Sequence, residues 1–423
     1  MLESTNPELT SWIDVPQESD FPIQNLPYGI ASTGELVFTA TRIGDTVIDL
    51  SVLADFGYFD SLPIDNLWVF YQKNLNELAA MPKVVRVALR ERLSELFSSE
   101  NGELRDNEEV RNLTLYAAEE ILMLLPVEIG DYTDFYSSIE HATNVGIMFR
   151  DPANALLPNW KHLPVGYHGR ASSIVVSGTS VHRPKGQTRP DDTKPPIFGP
   201  SKQLDFELEM AFITSAKTNL GDSIPVEDAE DAIFGLVLFN DLSARDLQRW
   251  EYVPLGPFLA KSFGSVISPW VITMEALEPF RTQGPKQEPE VLPYLKTTGE
   301  HNFDIELQVA IQPKNSEAAM VCQSNFKYLY WNMAQQLAHQ TVAGCNINPG
   351  DMYASGTISG KAPDSFGSLL ELSWKGTKKL AMKDGSERTF LQDNDTVIIR
   401  GQARKGKLRI GFGECVTTIL PAK

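Results

Sequence analysis

The sequence predicts a mostly β protein with some helix, built as two units. Short β-rich runs between Gly- and Pro-rich turns fill the chain after about residue 127. Helical spacing of apolar residues is concentrated before that point, with one further helical island at Phe326–Val342. We therefore expect an N-terminal domain at 1–125 and a C-terminal domain at 126–423, the second forming a sandwich or rolled sheet.

The N-terminal unit begins with a predicted β-hairpin and continues with helices. Leu36–Ile43 and Thr46–Leu50 are β-rich and are joined by Gly44-Asp45, a turn dipeptide. Together they predict a small β-barrel-like region. The helices that follow are expected at Ile64–Ala80, from Pro82 to the stop signal at Asn101-Gly102, and at Glu108–Leu125.

The C-terminal unit is predicted from many short strands, some of which alternate between apolar and polar residues as half-buried strands do. The stretch Arg183–Lys202 is rich in Pro, Gly and Lys and predicts a long surface loop. The expected strands are Ser173–Ser177, Phe206–Ile213, Phe234–Phe239, Trp270–Met274, Phe303–Ile311, Leu369–Trp374, Val397–Arg400 and Leu408–Gly411.

The charge balance excludes two classes of partner. The chain has 423 residues with 37 Lys+Arg against 55 Asp+Glu, a formal net charge of −18. Non-specific nucleic-acid binding needs a basic face, and an anionic membrane surface would repel this chain. Hydrophobic residues make up 42% and charged residues 22%, which is a globular rather than a disordered composition.

Cysteine usage and the N-terminus indicate a cytoplasmic, reducing environment. Cys322, Cys345 and Cys415 are widely spaced and form no CxxC pair, so neither a disulfide framework nor a thiolate zinc site is expected. The first residues have neither a basic nor an apolar segment of a secretory signal. The longest apolar stretch, Ile121–Val127, is too short to span a bilayer.

Four carboxylates suggest a metal site. Glu207 and Glu209 are two residues apart in a predicted strand and so share one face, and Asp241 closes the apolar run Phe234–Phe239. With Asp134 they would form an all-oxygen ligand set, which favours Ca²⁺ or Mg²⁺ over zinc or copper. Their wide separation leaves the alternative open that Glu207 and Glu209 form a solvated strand face and that Asp241 is a turn residue.

Two further polar groups are candidates for chemistry. Arg245, Gln248 and Tyr252 are spaced i, i+3 and i+7, so a helix would align them on one face. A loop-like stretch at 130–150 gathers Asp, Tyr, Arg and His141. From the residues alone, a solvated polar stripe and a structural histidine remain open alternatives.

Long motifs in order along the chain resemble the fumarylacetoacetase family. The resemblance implies an SH3-like N-terminal domain, a C-terminal mixed β-roll that carries the active site, and a homodimer. The motifs are SWIDVPQESDFPIQNLPYGI (11–30), IGDYTDFYSS (129–138), HATNVGIMFR (141–150), LDFELEMAF (204–212), FNDLSARDLQRWEYVPLGPFLAKSFG (239–264), DMYASGTISG (351–360) and FGSLLELSWKGT (366–377).

The resemblance also implies a reaction and its residues. Members hydrolyse 4-fumarylacetoacetate, a dicarboxylate diketone, to fumarate and acetoacetate, the last step of tyrosine and phenylalanine breakdown. His141 matches the general base and Glu371 the carboxylate that orients it. The other matches are Arg245, Gln248 and Lys261 for the oxyanion and leaving carbanion; Asp134, Glu207, Glu209 and Asp241 for the metal; Lys261 and Ser265 for a second, structural Mg²⁺ near Asp241; and Tyr136, Arg150, Tyr167, Gln248, Tyr252 and Thr357 for the substrate.

The chain departs from the family pattern at three places, and two alternative functions stay open. Ile139-Glu140 stands where Arg-Gln is expected, Ala260 where Gly is usual, and Ser265 where members have Thr. We expect Glu140 to point to solvent, because an inward carboxylate would favour protonated His141 and weaken the base. The alternatives are a relative that hydrolyses acylpyruvates or decarboxylates β-keto acids, and a non-catalytic binding module stabilised by Ca²⁺.

Overall fold

The computed structural model describes residues 2–423, and its N-terminal unit combines a five-stranded sheet with four helices. The elements are β1 (Gly29–Ser32), β2 (Val37–Ile43), β3 (Thr46–Asp49), α1 (Leu50–Asp55), α2 (Asn76–Ala80), α3 (Lys83–Phe97), α4 (Glu108–Thr114), β4 (Leu115–Ala117) and β5 (Leu122–Leu124). The antiparallel sheet has the order β4-β3-β2-β1-β5. The predicted hairpin is confirmed as β2 and β3, with Gly44 at a φ of +57° that few other residues adopt readily.

Two of the three predicted N-terminal helices differ from expectation. The prediction of one helix over Glu108–Leu125 is wrong: α4 ends at Thr114, and the chain then forms the edge strands β4 and β5. Pairing with open sheet edges supplies backbone partners, and this tertiary gain overrides helical spacing. The helix expected over Ile64–Ala80 is broken into a 3₁₀ turn at Leu67–Tyr71 and the short helix α2.

The C-terminal unit contains the remaining strands and helices. The strands are β6 (Tyr132–Phe135), β7 (Gly166–His168), β8 (Ile174–Val176), β9 (Val181–His182), β10 (Lys185–Thr188), β11 (Ile197–Pro200), β12 (Leu204–Asp205), β13 (Leu208–Thr214), β14 (Ile233–Asp241), β15 (Ser243–Ala244), β16 (Ser265–Ile267), β17 (Ile272–Thr273), β18 (Arg281–Thr282), β19 (Asn302–Phe303), β20 (Glu306–Gln312), β21 (Ala319–Asn325), β22 (Met352–Ala354), β23 (Leu380–Ala381), β24 (Glu387–Arg388), β25 (Thr396–Lys405) and β26 (Leu408–Leu420). The helices are α5 (Ile139–Phe149), α6 (Arg245–Glu251), α7 (Met274–Leu277), α8 (Met333–Thr341) and α9 (Leu369–Leu372).

Two large sheets form the C-terminal roll. The eight-stranded sheet has the order β7-β6-β22-β13-β14-β16-β8, with β17 paired to β14, and the five-stranded sheet has the order β21-β20-β25-β26-β9. Both are mixed, because β6–β22, β8–β16 and β9–β26 are parallel pairs. Leu238, Leu307 and Phe412 come from strands of both sheets and converge on Gly401, where a Cβ would lie 2.8 Å from Leu238. The predicted mostly β class, with a C-terminal β-roll, is confirmed; the 125/126 boundary remains a prediction.

Other C-terminal predictions are corrected locally. Leu369–Trp374 was expected as a strand but contains the helix α9, which Ser368 caps and which ends before two residues of positive φ, Trp374 and Lys375. The predicted loop Arg183–Lys202 contains the hairpin β10–β11. The loop-like stretch at 130–150 holds β6 and α5. Within residues 2–423, no helix combines the length and apolar composition needed to cross a membrane.

Candidate metal centre and active site

Four buried carboxylates meet at one end of the eight-stranded sheet. One ligand oxygen from each of Asp134, Glu207, Glu209 and Asp241 lies within 4.8 Å of the others. Asp134 is next to last in β6, Glu209 is the second residue of β13, and Asp241 ends β14. Because β6, β22, β13 and β14 are consecutive in the sheet, their register gathers side chains that are far apart in sequence.

A bound cation would stabilise the negative charges of these four buried carboxylates. Burial raises the pKa of Asp134 well above its usual range, and the charge of Asp241 raises it further. Burial likewise raises the pKa of Glu209, with Asp134 adding to the effect. Asp134 Oδ1 and Glu209 Oε1 are buried without a hydrogen-bond partner in the described chain. Two orphaned oxygens in an all-carboxylate pocket fit a hard divalent cation, so the cluster could hold a metal ion.

Lys261 and Ser265 flank the cluster on the side of Asp241. The Lys261 Nζ atom lies 2.6 Å from Asp241 Oδ2 and also contacts Glu207, while Ser265 Oγ donates to Asp241 Oδ1 at 2.8 Å. Burial alone would lower the pKa of Lys261, but the charges of Asp241 and Glu207 outweigh burial and raise that pKa. The side chain is therefore an ammonium with donors and no lone pair, and its part in a second metal site stays a prediction.

Glu207 and Tyr167 complete the surroundings of the cluster. Burial opposes ionisation of Glu207, but the charges of Lys261 and Arg245 dominate and hold its pKa below the usual range. Tyr167 OH donates to Asp241 Oδ2 at 3.3 Å. Gly356, at a φ of +77°, donates its backbone N–H to Glu209 Oε2 at 2.9 Å, and a Cβ there would lie 2.2 Å from the Phe135 carbonyl oxygen. The backbone conformation at Gly356 therefore helps to fix Glu209.

A buried His–Glu pair lies beside the cluster. His141 Nδ1 lies 2.6 Å from Glu371 Oε2, and His141 is 3% exposed. Burial would raise the pKa of Glu371, but the charge and hydrogen bond of His141 outweigh burial and lower that pKa. Since Nδ1 is engaged by the carboxylate, Nε2 is the ring atom left to exchange a proton with a ligand. The Tyr136 ring meets the imidazole edge-on at a centroid distance of 5.3 Å.

Three side chains that were not among the predicted site residues orient Glu371. Asn144 Nδ2 donates to Glu371 Oε1 at 2.9 Å, and Ser368 Oγ donates to Oε2 at 2.8 Å. Ser359 Oγ lies 3.0 Å from both carboxylate oxygens. Asn144 stands at i+3 from His141, so interpreting the segment as a helix would have placed the two side by side. Ser368 precedes Glu371 by three residues, and that S-x-x-E spacing is a helix-cap signal that could have revealed the contact. Ser359 gave no such signal, because its contact with Glu371 depends on tertiary folding.

Arg245 lies between the carboxylate cluster and α9. Its Nε donates to Asp205 Oδ2 at 2.8 Å, its Nη2 pairs with Glu207 Oε1 at 2.8 Å, and its Nη1 donates to Gln248 Oε1 at 3.1 Å. Because the Gln248 oxygen is engaged, its amide N–H groups are left to face a ligand. Asp205 was also missed, although the spacing 205, 207, 209 puts it in the same alternating pattern as the two glutamates.

The remaining predicted substrate residues differ in how far they are exposed to solvent. Thr357 is 2% exposed and its hydroxyl has no hydrogen-bond partner in the described chain, as suits a ligand contact. Arg150 is exposed and donates to the Ala155 carbonyl at 2.6 Å. Tyr252 is 51% exposed at the C-terminus of α6. The structure therefore gathers the four carboxylates and the His141–Glu371 pair tightly and leaves Arg150 and Tyr252 at the solvent side.

Glu140 does not point freely to solvent. Its side chain is half-buried, and Oε2 is buried without a partner in residues 2–423. Burial raises the pKa of Glu140; Lys361 opposes that change and Glu371 adds to it. The expectation of a solvated carboxylate is thus corrected.

Comparison with known proteins agrees with this geometry. The profile described as Fumarylacetoacetate (FAA) hydrolase C-terminal matches residues 132–420, and the one described as Fumarylacetoacetase N-terminal matches residues 24–126. The fumarylacetoacetase of Dictyostelium discoideum is 55% identical over 421 residues, covering 98% of each chain. The chain belongs to the fumarylacetoacetase family. The fumarylacetoacetase of Rattus norvegicus is 53% identical, covering 97% of this chain and 99% of its own.

A solved structure supports the fold at greater distance. The fumarylacetoacetate hydrolase of psychrophilic Exiguobacterium antarcticum aligns with a TM-score of 0.53 and 15% identity, over 94% of this chain and 100% of its own. At that identity the likeness concerns the fold alone.

Proposed function

We propose that this chain is a hydrolase of carbon–carbon bonds in ketonic substances that cleaves 4-fumarylacetoacetate to fumarate and acetoacetate, the last step of tyrosine and phenylalanine catabolism. The observation that carries the proposal is the buried His141–Glu371 pair, with 2.6 Å between Nδ1 and Oε2, beside a four-carboxylate cluster. The proposal is also supported by relatives named fumarylacetoacetase that match over nearly the full length of the chain. The substrate is a dicarboxylate diketone.

The dyad activates water. Nε2 of His141 takes a proton from water, and the oxygen attacks the carbonyl carbon of the fumaryl group, which becomes a carboxylate carbon of fumarate. Glu371 stabilises the imidazolium that results and fixes the ring through Nδ1. When the tetrahedral intermediate collapses, the carbon–carbon bond breaks, its electron pair stays on the acetoacetate carbon, and His141 returns the proton to that carbon.

Arg245, Gln248 and Lys261 stabilise the charge that develops. Carboxylate partners hold each cation in place before substrate arrives, so no reorganisation is needed during reaction. The Lys261 ammonium donates to Glu207 and Asp241, and the Gln248 amide N–H groups are free to donate to the substrate. Tyr136, Tyr167, Tyr252, Thr357 and Arg150 would contact the substrate, with Arg150 suited to a terminal carboxylate.

We propose Ca²⁺ or Mg²⁺ as the cation of the carboxylate cluster. Asp134, Glu207, Glu209 and Asp241 would hold it, and it would supply Lewis-acid polarisation of the diketone oxygens. Support comes from the chemistry of the donor set, which has only oxygen ligands and two orphaned oxygens. A second Mg²⁺ near Asp241, Lys261 and Ser265 is part of the same proposal.

A substrate panel tests the proposed reaction. Purified protein is chelated, reloaded with Ca²⁺ or Mg²⁺, and offered 4-fumarylacetoacetate, an acylpyruvate and a β-keto acid, while fumarate, acetoacetate and CO₂ are measured. We expect equimolar fumarate and acetoacetate from the first substrate. Preferential turnover of the acylpyruvate or the β-keto acid would instead favour a related hydrolase or decarboxylase, and no turnover of any substrate would favour a binding module.

We further propose a cytoplasmic homodimer. Hairpin β10–β11 and the segment after α6 expose large apolar side chains, among them Phe198 at 73% and Leu255 at 95%. Trp250 joins the two segments, since its Nε1 donates to Gln187 Oε1 opposite Phe198 in the hairpin. Exposed apolar side chains on neighbouring segments suit a subunit contact. Light scattering should give about twice the chain mass, and F198D/L255D should give the monomer mass; a monomeric unaltered protein would refute the proposal.

A further inference from the structure

Asp205 links the two halves of the site, although it touches neither the dyad nor the metal cluster. It is 0% exposed and lies in β12, which pairs with β15 immediately before α6. Its Oδ1 accepts the Leu369 backbone N–H at 2.6 Å, and its Oδ2 accepts the Leu370 N–H at 3.0 Å. Oδ2 also accepts from Arg245 Nε at 2.8 Å. One carboxylate therefore fixes the start of α9 and the guanidinium of Arg245.

Each of these contacts leads to a proposed catalytic group. Leu369 and Leu370 form the first turn of α9, and Glu371 follows in the same turn, where it holds His141. From Arg245 the contacts continue to Glu207 and Gln248. A shift of Asp205 would therefore move the base and the oxyanion donors relative to each other, and misplacement of about 1 Å can cost about 100-fold in rate.

We propose that Asp205 is a positioning residue that sets the spacing between the His141–Glu371 dyad and Arg245. The proposal rests on the proposed hydrolase function. Stability alone gives no reason for a buried ion pair, because well-packed apolar replacements are often as stable. The orientation of neighbouring groups does give a reason for this ion pair. A carboxylate accepts from the backbone N–H groups of α9 and from the Arg245 guanidinium together, whereas an isosteric amide carries an NH₂ that must face one of those donors.

The test compares D205N with D246N in the Ca²⁺-loaded protein. Asp246 is the matched control: it sits on α6 beside Arg245, but its carboxylate accepts from Ser201 Oγ and the Lys202 N–H. For D205N we expect kcat to fall about 10- to 100-fold, with KM and the calorimetric Ca²⁺ affinity within about threefold of the unaltered protein. For D246N we expect kcat within about twofold. A D205N kcat per Ca²⁺-loaded site within twofold of the unaltered protein would overturn the proposal.

A double-mutant cycle separates positioning from a general structural defect. If Asp205 acts through Arg245 and Glu371, the D205N penalty on kcat should shrink at least threefold in an R245Q or an E371Q background. Equal penalties in all backgrounds would contradict the proposal. If D205N does not fold, D205E keeps the charge but is one methylene longer, and it is judged by the same kcat and Ca²⁺ criteria.

Hydrogen exchange gives a readout that needs no substrate. The Leu369 and Leu370 amides should exchange at least tenfold faster in D205N than in the unaltered protein, while D246N leaves them unchanged. Unchanged exchange in D205N would refute the link to α9. The unaltered protein's turnover decides the hydrolase function, and these variant comparisons decide the positioning role.

Discussion

The Nδ1 atom of His141 lies 2.6 Å from Oε2 of Glu371, with both side chains buried and 230 residues apart in sequence. Helix α5 carries the histidine and helix α9 the glutamate. Such a pair fixes the tautomer of the ring and presents Nε2 as a base. The role of the Glu371 charge can be tested by a substitution that removes the charge and keeps the shape of the side chain.

Removing the charge of Glu371 should impair chemistry more than folding. E371Q keeps the side-chain volume but cannot stabilise an imidazolium, so we expect kcat to fall about 10²- to 10⁴-fold. Steady-state kinetics and circular dichroism measure the two effects. D364N, an exposed carboxylate in the same segment, is the control and should stay within about twofold. Full activity of E371Q would remove Glu371 from the mechanism.

Asn144 should tune the dyad without supporting the fold. N144A removes the 2.9 Å hydrogen bond to Glu371 Oε1, while two serines still hold the carboxylate. We expect kcat to fall about tenfold and the melting temperature to change little, because the residue is half-buried. N154A, at an exposed asparagine, should leave both unchanged. A drop in melting temperature with kcat preserved would assign Asn144 a structural role instead.

Metal affinity should depend on the orphaned carboxylates. E209Q removes one charge from a cluster with two oxygens that lack partners, so we expect at least a tenfold loss of Ca²⁺ affinity by calorimetry. Chelation should lower the melting temperature of the unaltered protein, because an ion that binds only the folded state stabilises it. The exposed E227Q should bind as the unaltered protein does. Equal affinity in E209Q would refute the four-carboxylate site.

The ion pair between His301 and Glu230 should make stability pH-dependent. A hydrogen bond of 2.7 Å to Glu230 raises the pKa of His301 above 6.5, and burial opposes that shift. The stability it contributes is therefore fully present below pH 6.5 and is lost as pH rises through the folded pKa. Burial would raise the pKa of Glu230, but its bonds to His301 and Arg281 lower it, so Glu230 stays ionised above pH 6.

The corresponding measurement is chemical unfolding at two pH values. The free energy of unfolding lost in H301Q should be about 0.5–1 kcal/mol greater at pH 6 than at pH 9. H162Q, at an exposed histidine, should show no such difference. A loss that is the same at both pH values, or greater at pH 9, would contradict the assigned ion pair.

Arg90 should be one of the most costly positions to change in the N-terminal unit. It is 1% exposed and donates to the Asn25 carbonyl at 2.8 Å and to the Gln24 carbonyl at 2.5 Å. R90M leaves both acceptors buried without donors, so we expect a loss of about 3 kcal/mol in thermal or chemical unfolding. On the same helix, R92M removes ion pairs to the exposed Glu95 and Glu103 and a single hydrogen bond from Nε to the Tyr58 carbonyl, and should cost about 1 kcal/mol. Equal losses would be inconsistent with the buried contacts.

Contacts of this site between residues close in sequence could be predicted, whereas contacts between residues far apart in sequence could not. Glu207 and Glu209 could be paired from their spacing, because strand alternation is local. Asp134 and Asp241 join them through the register of the sheet, which spacing in the sequence does not reveal. The family resemblance, and not the spacing, predicted that grouping. Asp205 had the right spacing, but its role depends on Leu369, 164 residues away.

The secondary-structure errors have the same origin. Leu369–Leu372 was predicted as a strand although Ser368, three residues before Glu371, is a local helix-cap signal. The cap and the distant carboxylate of Asp205, which accepts from the first backbone N–H groups, together make it a helix. The stretch after Thr114 has helical spacing, yet it completes the edges of the N-terminal sheet. In both cases contacts with residues distant in sequence contribute, and after Thr114 they override local propensity.

The most direct test is the initial rate of 4-fumarylacetoacetate hydrolysis by H141N and the unaltered protein at equal Ca²⁺ content. The Asn variant keeps a polar side chain at a buried position but has no Nε2 to accept a proton. We expect the unaltered protein to release fumarate and acetoacetate in equal amounts and H141N to be at least 10³-fold slower, with unchanged circular dichroism and Ca²⁺ affinity. A folded, Ca²⁺-loaded H141N that works within tenfold of the unaltered protein would show that the dyad is not the base.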